Sequence, residues 1–150
     1  MSARILALLV ACLAGVTMAF QGTVNAVLGR VAGLLEATFI VHGVGLAVAG
    51  ALLFGLRLGD GSLLRAAHAP WYAYLGGVLG VLIVYGVVRA IPQVGVAPAT
   101  TAIILGQVLT AALIDHVGLC GMQKIPFTWH RIAGTLLMAA GAWLLLRGGK

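Results

Sequence analysis

The sequence predicts an all-α integral membrane protein with five transmembrane helices, and three observations predict it. Hydrophobic residues fill 62% of the 150 positions while charged residues fill only 8%, against about 25% charge in a soluble domain. The mean hydropathy is +1.14. Five apolar stretches follow one another along the chain, each close to the roughly 20 residues that cross a bilayer core. So little charge cannot wet a globular surface, so lipid is the solvent for most side chains. The 22 glycines fit the same class, because glycine lets membrane helices approach closely.

The first stretch runs from Ile5 to Leu28, the second from Glu36 to Leu56, and the third from Trp71 to Val88. The fourth spans Val96 to Ile114 and the fifth Arg131 to Leu146. Arg30 and Gly33 break the first pair, and Arg57-Leu58-Gly59-Asp60-Gly61-Ser62 forms a polar turn. Pro70 stands where a helix N-terminus tolerates proline, and Pro92 and Pro98 bracket the connection between the third and fourth spans. Thr128 precedes the last span as an N-cap. Trp71, Tyr72, Trp129 and Trp143 fall near span ends, where amphipathic rings favour the interface. The first apolar run outlasts a signal-peptide core and lacks a convincing small-residue cleavage site after it, so it is expected to remain as a helix. The expected organisation is a single five-helix transmembrane domain, residues 1–150.

The formal charge of +6 does not point to nucleic acid, since the cations stand singly between apolar runs and form no basic stripe. Cys12 and Cys120 have no metal or redox spacing and are expected to be packing residues. There is no Gly-x-Ser-x-Gly, His-Glu-x-x-His or phosphate loop, so neither an enzyme nor a cofactor is expected, and His near Asp115 and Cys120 make no metal site by spacing alone.

Five spans place the termini on opposite sides. The N-terminal side holds Arg4, Arg57, Arg65, Lys124 and Arg131, and the other side holds Arg30, Arg89, Arg147 and Lys150. Orientation follows an excess of Lys and Arg in cytoplasmic loops; an excess of one residue predicts insertion in both orientations. Two oppositely inserted copies meet across an axis in the membrane plane, which is the geometry of inverted-repeat transporters. Five thin helices also make poor walls for a solute path, whereas ten enclose one. The small-residue pairs Gly15/Ala19, Gly43/Ala47 and Gly76/Gly80, with Gly77 alongside, suit close packing either within the chain or at a dimer seam.

Polar groups at membrane depth are costly and so mark candidate sites. Gln21 and Asn25 are four residues apart, which sets their amides on one side of the first helix. Gln107 lies midway along the fourth span after Gly106. The three amides are expected to bond a small solute, the competing reading being hydrogen bonds between helices. His42 is placed at membrane depth, where it relays protons near neutral pH or sits neutral against a neighbour. Tyr85 is a candidate to line the same cavity, the default reading being an interior tyrosine whose hydroxyl finds one partner. Glu36 and Asp115 fall near span ends and Asp60 in a loop. No carboxylate lies at mid-membrane depth, which argues against proton-coupled export of lipophilic cations. Asp115-His116 is expected to act as an end-cap.

Gly106-Gln107-Val108-Leu109-Thr110 followed by Asp115-His116-Val117-Gly118-Leu119 closely resembles the Gly-Gln … Asp-His-x-Gly segment of the YdcZ-like family, within the drug/metabolite transporter superfamily. Gln21, Asn25 and Gly29 resemble its first-helix element, and Gly76-Gly77-Val78-Leu79-Gly80 its glycine run. The resemblance implies five-helix chains of a bacterial inner membrane, paired antiparallel with an inverted second copy or a homologous five-helix chain. His42 departs from the apolar residue usual there. Unlike small multidrug resistance proteins, the chain has Gln21 rather than an acid in the first span. The expectation is a secondary transporter of a small solute by alternating access. The rivals are a dual-topology channel and a non-transporting scaffold subunit.

Overall fold

The computed structural model describes residues 2–147. Five of its helices are long and apolar enough to cross a membrane, and the chain divides into two compact units, Met1–Gln93 and Val94–Lys150.

The first unit opens with α1, Ala3–Ala32, begun by Ser2, whose hydroxyl accepts from the Ile5 N–H at 3.4 Å. Its 30 residues rise about 45 Å against a hydrocarbon core of about 30 Å, so its ends reach the headgroups or the helix tilts. Gly33 is the whole connection to α2, Leu34–Gly50. Its N–H donates to the Gly29 carbonyl at 3.1 Å, and its own carbonyl accepts from the Ala37 N–H at 3.0 Å. One residue thus closes one helix and opens the next at φ 107°, a backbone that glycine adopts without strain.

α2 runs on into a π-helical turn, Ala51–Gly55, and the polar turn over residues 57–62 follows as expected, with Arg57 at φ 53°. The short α3, Leu63–Ala66, is tied down by the Tyr74 hydroxyl, which donates to the Ala66 carbonyl at 2.6 Å. Pro70 precedes a 3₁₀ turn, Trp71–Tyr74, that leads into α4, Leu75–Val94.

Here the structure corrects the sequence reading. α4 does not stop at Val88; it continues through Pro92. Proline removes one N–H from the ladder, but the third residue from a helix end interrupts little, and membrane helices tolerate such gaps. Pro98 sits within the first turn of α5, Val96–Val117, where the first N–H groups have no intrahelical partner to lose. The two prolines therefore lie inside helices rather than bracketing a loop, and Gly95, at φ 90°, is the only residue between them.

The buried residues of the first unit lie where backbones meet: Gly22, Asn25 and Ala26 on α1, Ala37 and Thr38 on α2, and Val88 and Ile91 on α4. A Cβ at Gly22 would stand 3.0 Å from Val87 Cγ1 and 3.1 Å from Ile91 Cδ1, and one at Gly29 would overlap Val88 Cγ1. The close approaches thus use Gly22 and Gly29. A Cβ built at Gly15, Gly43, Gly76 or Gly77 would meet no atom within 4 Å among the described residues, so none of these four glycines makes a close approach of that kind.

The second unit pairs α5 with α6, Trp129–Arg147, and buries Ala99 and Ala142. α5 ends at Gly118, whose N–H donates to the Ile114 carbonyl at 2.8 Å. Asp115 is not the end-cap expected of it. A carboxylate at a helix C-terminus opposes the dipole, and it is compensated by Arg131, whose Nη1 donates to Asp115 Oδ2 at 2.9 Å. The Asp115 carbonyl also accepts from the Ile125 N–H at 2.8 Å, tying the loop back to α5. The Thr128 carbonyl accepts from the N–H groups of Arg131 and Ile132, and the Arg147 guanidinium lies 4.0 Å over the Trp143 ring. Lys150, counted among the cationic anchors, lies outside the described residues.

Both side chains of the Asp115–Arg131 pair are 38% exposed, so screening limits its worth to no more than about 1 kcal/mol. Arg131→Gln is expected to lower the thermal midpoint of the purified protein only slightly. A large drop would show that the pair holds α5 to α6 more firmly than its exposure allows.

Candidate functional site

The polar side chains of the spans sort by whether their hydrogen bonds are already made. Thr17, Thr23, Thr38, Thr101 and Thr135 each donate to a carbonyl four residues earlier in their own helix, at 2.8–2.9 Å. Such back-bonding satisfies the hydroxyl locally and leaves it little to offer a solute.

Asn25 is different. It is 6% exposed and takes part in no side-chain hydrogen bond among the described residues. Nor is its amide sealed away, since no described side-chain N or O atom is both fully enclosed and without a partner. Its position explains both facts. Gly22 and Gly29 bring α1 against α4 one turn to either side of it, so the amide lies in the seam between two close backbone contacts. An amide carries two donors and an acceptor with two lone pairs, and burying them unmet costs about 1–3 kcal/mol. A fold retains such a group where something else completes it.

His42, half-buried on α2, has its Nδ1 2.8 Å from the Thr38 carbonyl. A carbonyl only accepts, so Nδ1 donates to it, which leaves Nε2 as the ring nitrogen open to a further partner. That nitrogen points to α4 at Gly80, 3.5 Å from where a Cβ would stand. The glycine leaves the space that a side chain would fill.

Gln21 shares a side of α1 with Asn25, as the four-residue spacing implies, but is exposed. Tyr85 is 37% exposed on α4. Gln107 is exposed on α5, in the second unit. Glu36 lies in the first turn of α2 beside Gly33, where a negative charge suits the helix dipole. A shallow depression at the loop after α2, lined in part by Leu53, Phe54, Arg57 and Ser62, contains none of these residues.

Two residues escaped the sequence reading. A third span that ends at Val88 leaves Arg89 and Gln93 beyond it. Both lie inside α4. The signal was present as the repeat Tyr85, Arg89, Gln93, in which polar residues recur every four positions.

No curated protein and no solved structure matches the chain. A family profile does: the one described as "Putative inner membrane exporter, YdcZ" matches residues 6–144. With five helices long and apolar enough to cross a membrane and a match over nearly its whole length, the chain belongs to the YdcZ family, whose description as an exporter fits a transporter, and is a multi-pass inner-membrane protein.

Proposed function

We infer that the chain is one half of a secondary transporter, which carries a small solute by alternating access as an antiparallel dimer. The observation that carries this reading is Asn25, 6% exposed between two glycine contacts, its amide not fully enclosed and without a side-chain hydrogen bond among the described residues. Gln21, on the same side of α1, adds a second amide to the hydrogen-bonding set for the solute, and Gln107 of α5 is a separate candidate contact. His42 offers its Nε2 and Tyr85 a hydroxyl from neighbouring helices. Glycines at the α1–α4 seam allow the helices to shift against one another without unlocking side chains.

The dimer follows from two supports. Between none and 17% of each span's apolar window is buried, so a single chain shields its spans poorly. By sequence the nine Lys and Arg residues divide five to four between the two sides, and setting aside Arg89 as a residue of α4 leaves five to three, an excess too small to set a firm orientation. An inverted second copy, or a homologous five-helix chain, supplies the missing walls.

Labelling tests the pairing. In a Cys12→Ala/Cys120→Ala background, Ser62→Cys puts a single thiol in the polar turn. An impermeant maleimide applied to spheroplasts is expected to modify about half of the copies, and the rest only after lysis. Labelling from one side alone, in protein that purifies without a homologous chain and still transports, overturns the antiparallel assembly.

A further inference from the structure

The face of α4 turned away from the Asn25 seam carries a pattern suited to an anionic group of the solute. The helix carries three polar side chains, Tyr85, Arg89 and Gln93, among seventeen apolar, glycine or proline positions. They stand at four-residue intervals and therefore form a single stripe. Arg89 follows Val88 and is turned about 100° from it, whereas Gly80, Val87, Val88 and Ile91 make the contacts with α1 and α2. The stripe thus lies off the packed face, and all three of its residues are exposed.

The hydrogen-bonding character of the stripe is one-sided. The Arg89 guanidinium has five N–H donors and no ion pair, the single salt bridge among the described residues being Asp115–Arg131. The Tyr85 hydroxyl makes no hydrogen bond among the described residues, and Gln93 Nε2 donates to the Arg89 carbonyl at 3.0 Å, which fixes that amide beside the arginine. An arginine near a span end commonly serves only to anchor the helix in the headgroups. Two features set Arg89 apart. Its Cα–Cβ bond leans toward the helix N-terminus, away from the nearby end, and an anchor has no use for a tyrosine and an amide aligned with it. A fork of donors without a protein acceptor matches a carboxylate or phosphate group.

We propose that Tyr85, Arg89 and Gln93 bind the oxyanion of the transported solute, so that the carrier is selective for organic anions. This rests on the transporter reading given above and names the solute class for it.

The test uses the full chain in vesicles of phosphatidylcholine alone. Succinate and glycerol 3-phosphate are titrated against their uncharged counterparts, succinamide and glycerol, with the thermal midpoint as readout. An anion is expected to stabilise the protein where its counterpart does not. Arg89→Gln is expected to weaken that binding roughly tenfold or more, the scale of a lost charge-assisted hydrogen bond. Arg89→Lys, which keeps the charge without the fork, is expected to fall between the two and also guards against a folding defect. Tyr85→Phe tests the hydroxyl separately. Equal stabilisation by charged and uncharged compounds, unchanged in Arg89→Gln, overturns the oxyanion site while leaving the carrier reading intact. Absence of any response to the anions overturns it as well, and the labelling experiment then judges the carrier reading independently. A second arm adds phosphatidylglycerol to the vesicles. Stabilisation that needs this lipid and Arg89, with none from soluble anions, assigns the stripe to a headgroup and overturns the solute assignment.

Discussion

Gly29→Ala is expected to destabilise the protein by about 1–3 kcal/mol, the usual cost of overpacking a filled contact, even though alanine is the better helix former by about 1 kcal/mol. A Cβ at this position would overlap Val88 Cγ1 and come within 3.9 Å of the Ala37 Cβ. Val88 cannot swing aside easily. It is β-branched and so stiff at χ1, and it is 0% exposed. The strain must go into separating α1 from α4, the same seam that holds Asn25. Val88→Ala opens the space, so the double variant is expected to regain part of the loss, with a coupling of about 1 kcal/mol or more. Gly43→Ala and Gly76→Ala are the controls. No atom lies within 4 Å of a Cβ at either position, so both should be neutral or slightly stabilising. The seam assignment fails if Gly29→Ala melts with the controls and Val88→Ala brings no recovery.

The same two helices show what a sequence of this kind discloses and what it withholds. The spans were legible because crossing a bilayer demands a long apolar run, and because Gly33 and the residue 57–62 turn punctuate those runs. The kinship of Gln21 and Asn25 was legible from helical spacing alone, and the family resemblance carried by Gly106-Gln107 and Asp115-His116 is borne out by the profile match over residues 6–144. Contacts between helices were not legible. Periodicity says which residues share a face but not which neighbour that face meets. Glycine faces at Gly15 and Gly43 therefore looked as suitable for packing as the seam at Gly22 and Gly29. For the same reason Asp115 looked like a cap until Arg131, sixteen residues later, was found beside it. Pro92 misled differently. A proline beside a charge suggests a connection, yet both Arg89 and Pro92 lie inside α4. A proline near a helix end breaks little, and the polar stripe with Tyr85 and Gln93 was the better guide.

Asn25→Leu is expected to separate stability from transport in opposite directions. Leucine keeps the heavy-atom skeleton of asparagine with bulkier methyl ends, so it is the apolar residue that changes the shape of the seam between Gly22 and Gly29 least. Asn25 is 6% exposed and its amide, though not fully enclosed, is bonded to no other group among the described residues, so it bears part of the desolvation cost of about 1–3 kcal/mol. Leucine removes that cost, so the solute-free variant should melt higher than the native protein. It also removes the groups that would meet the solute, so uptake into proteoliposomes should fall at least about tenfold, the scale of one lost hydrogen bond to a charged or strongly polar group. A polar group kept for function at the expense of stability is expected to behave this way. An amide that served as glue between helices would give the reverse pattern, because its removal would strand the partner group and lower the melting point while leaving the solute path open. Asn25→Ala distinguishes a third case. If uptake survives in alanine but not in leucine, the seam is a passage that bulk can block, and the amide itself does not hold the solute.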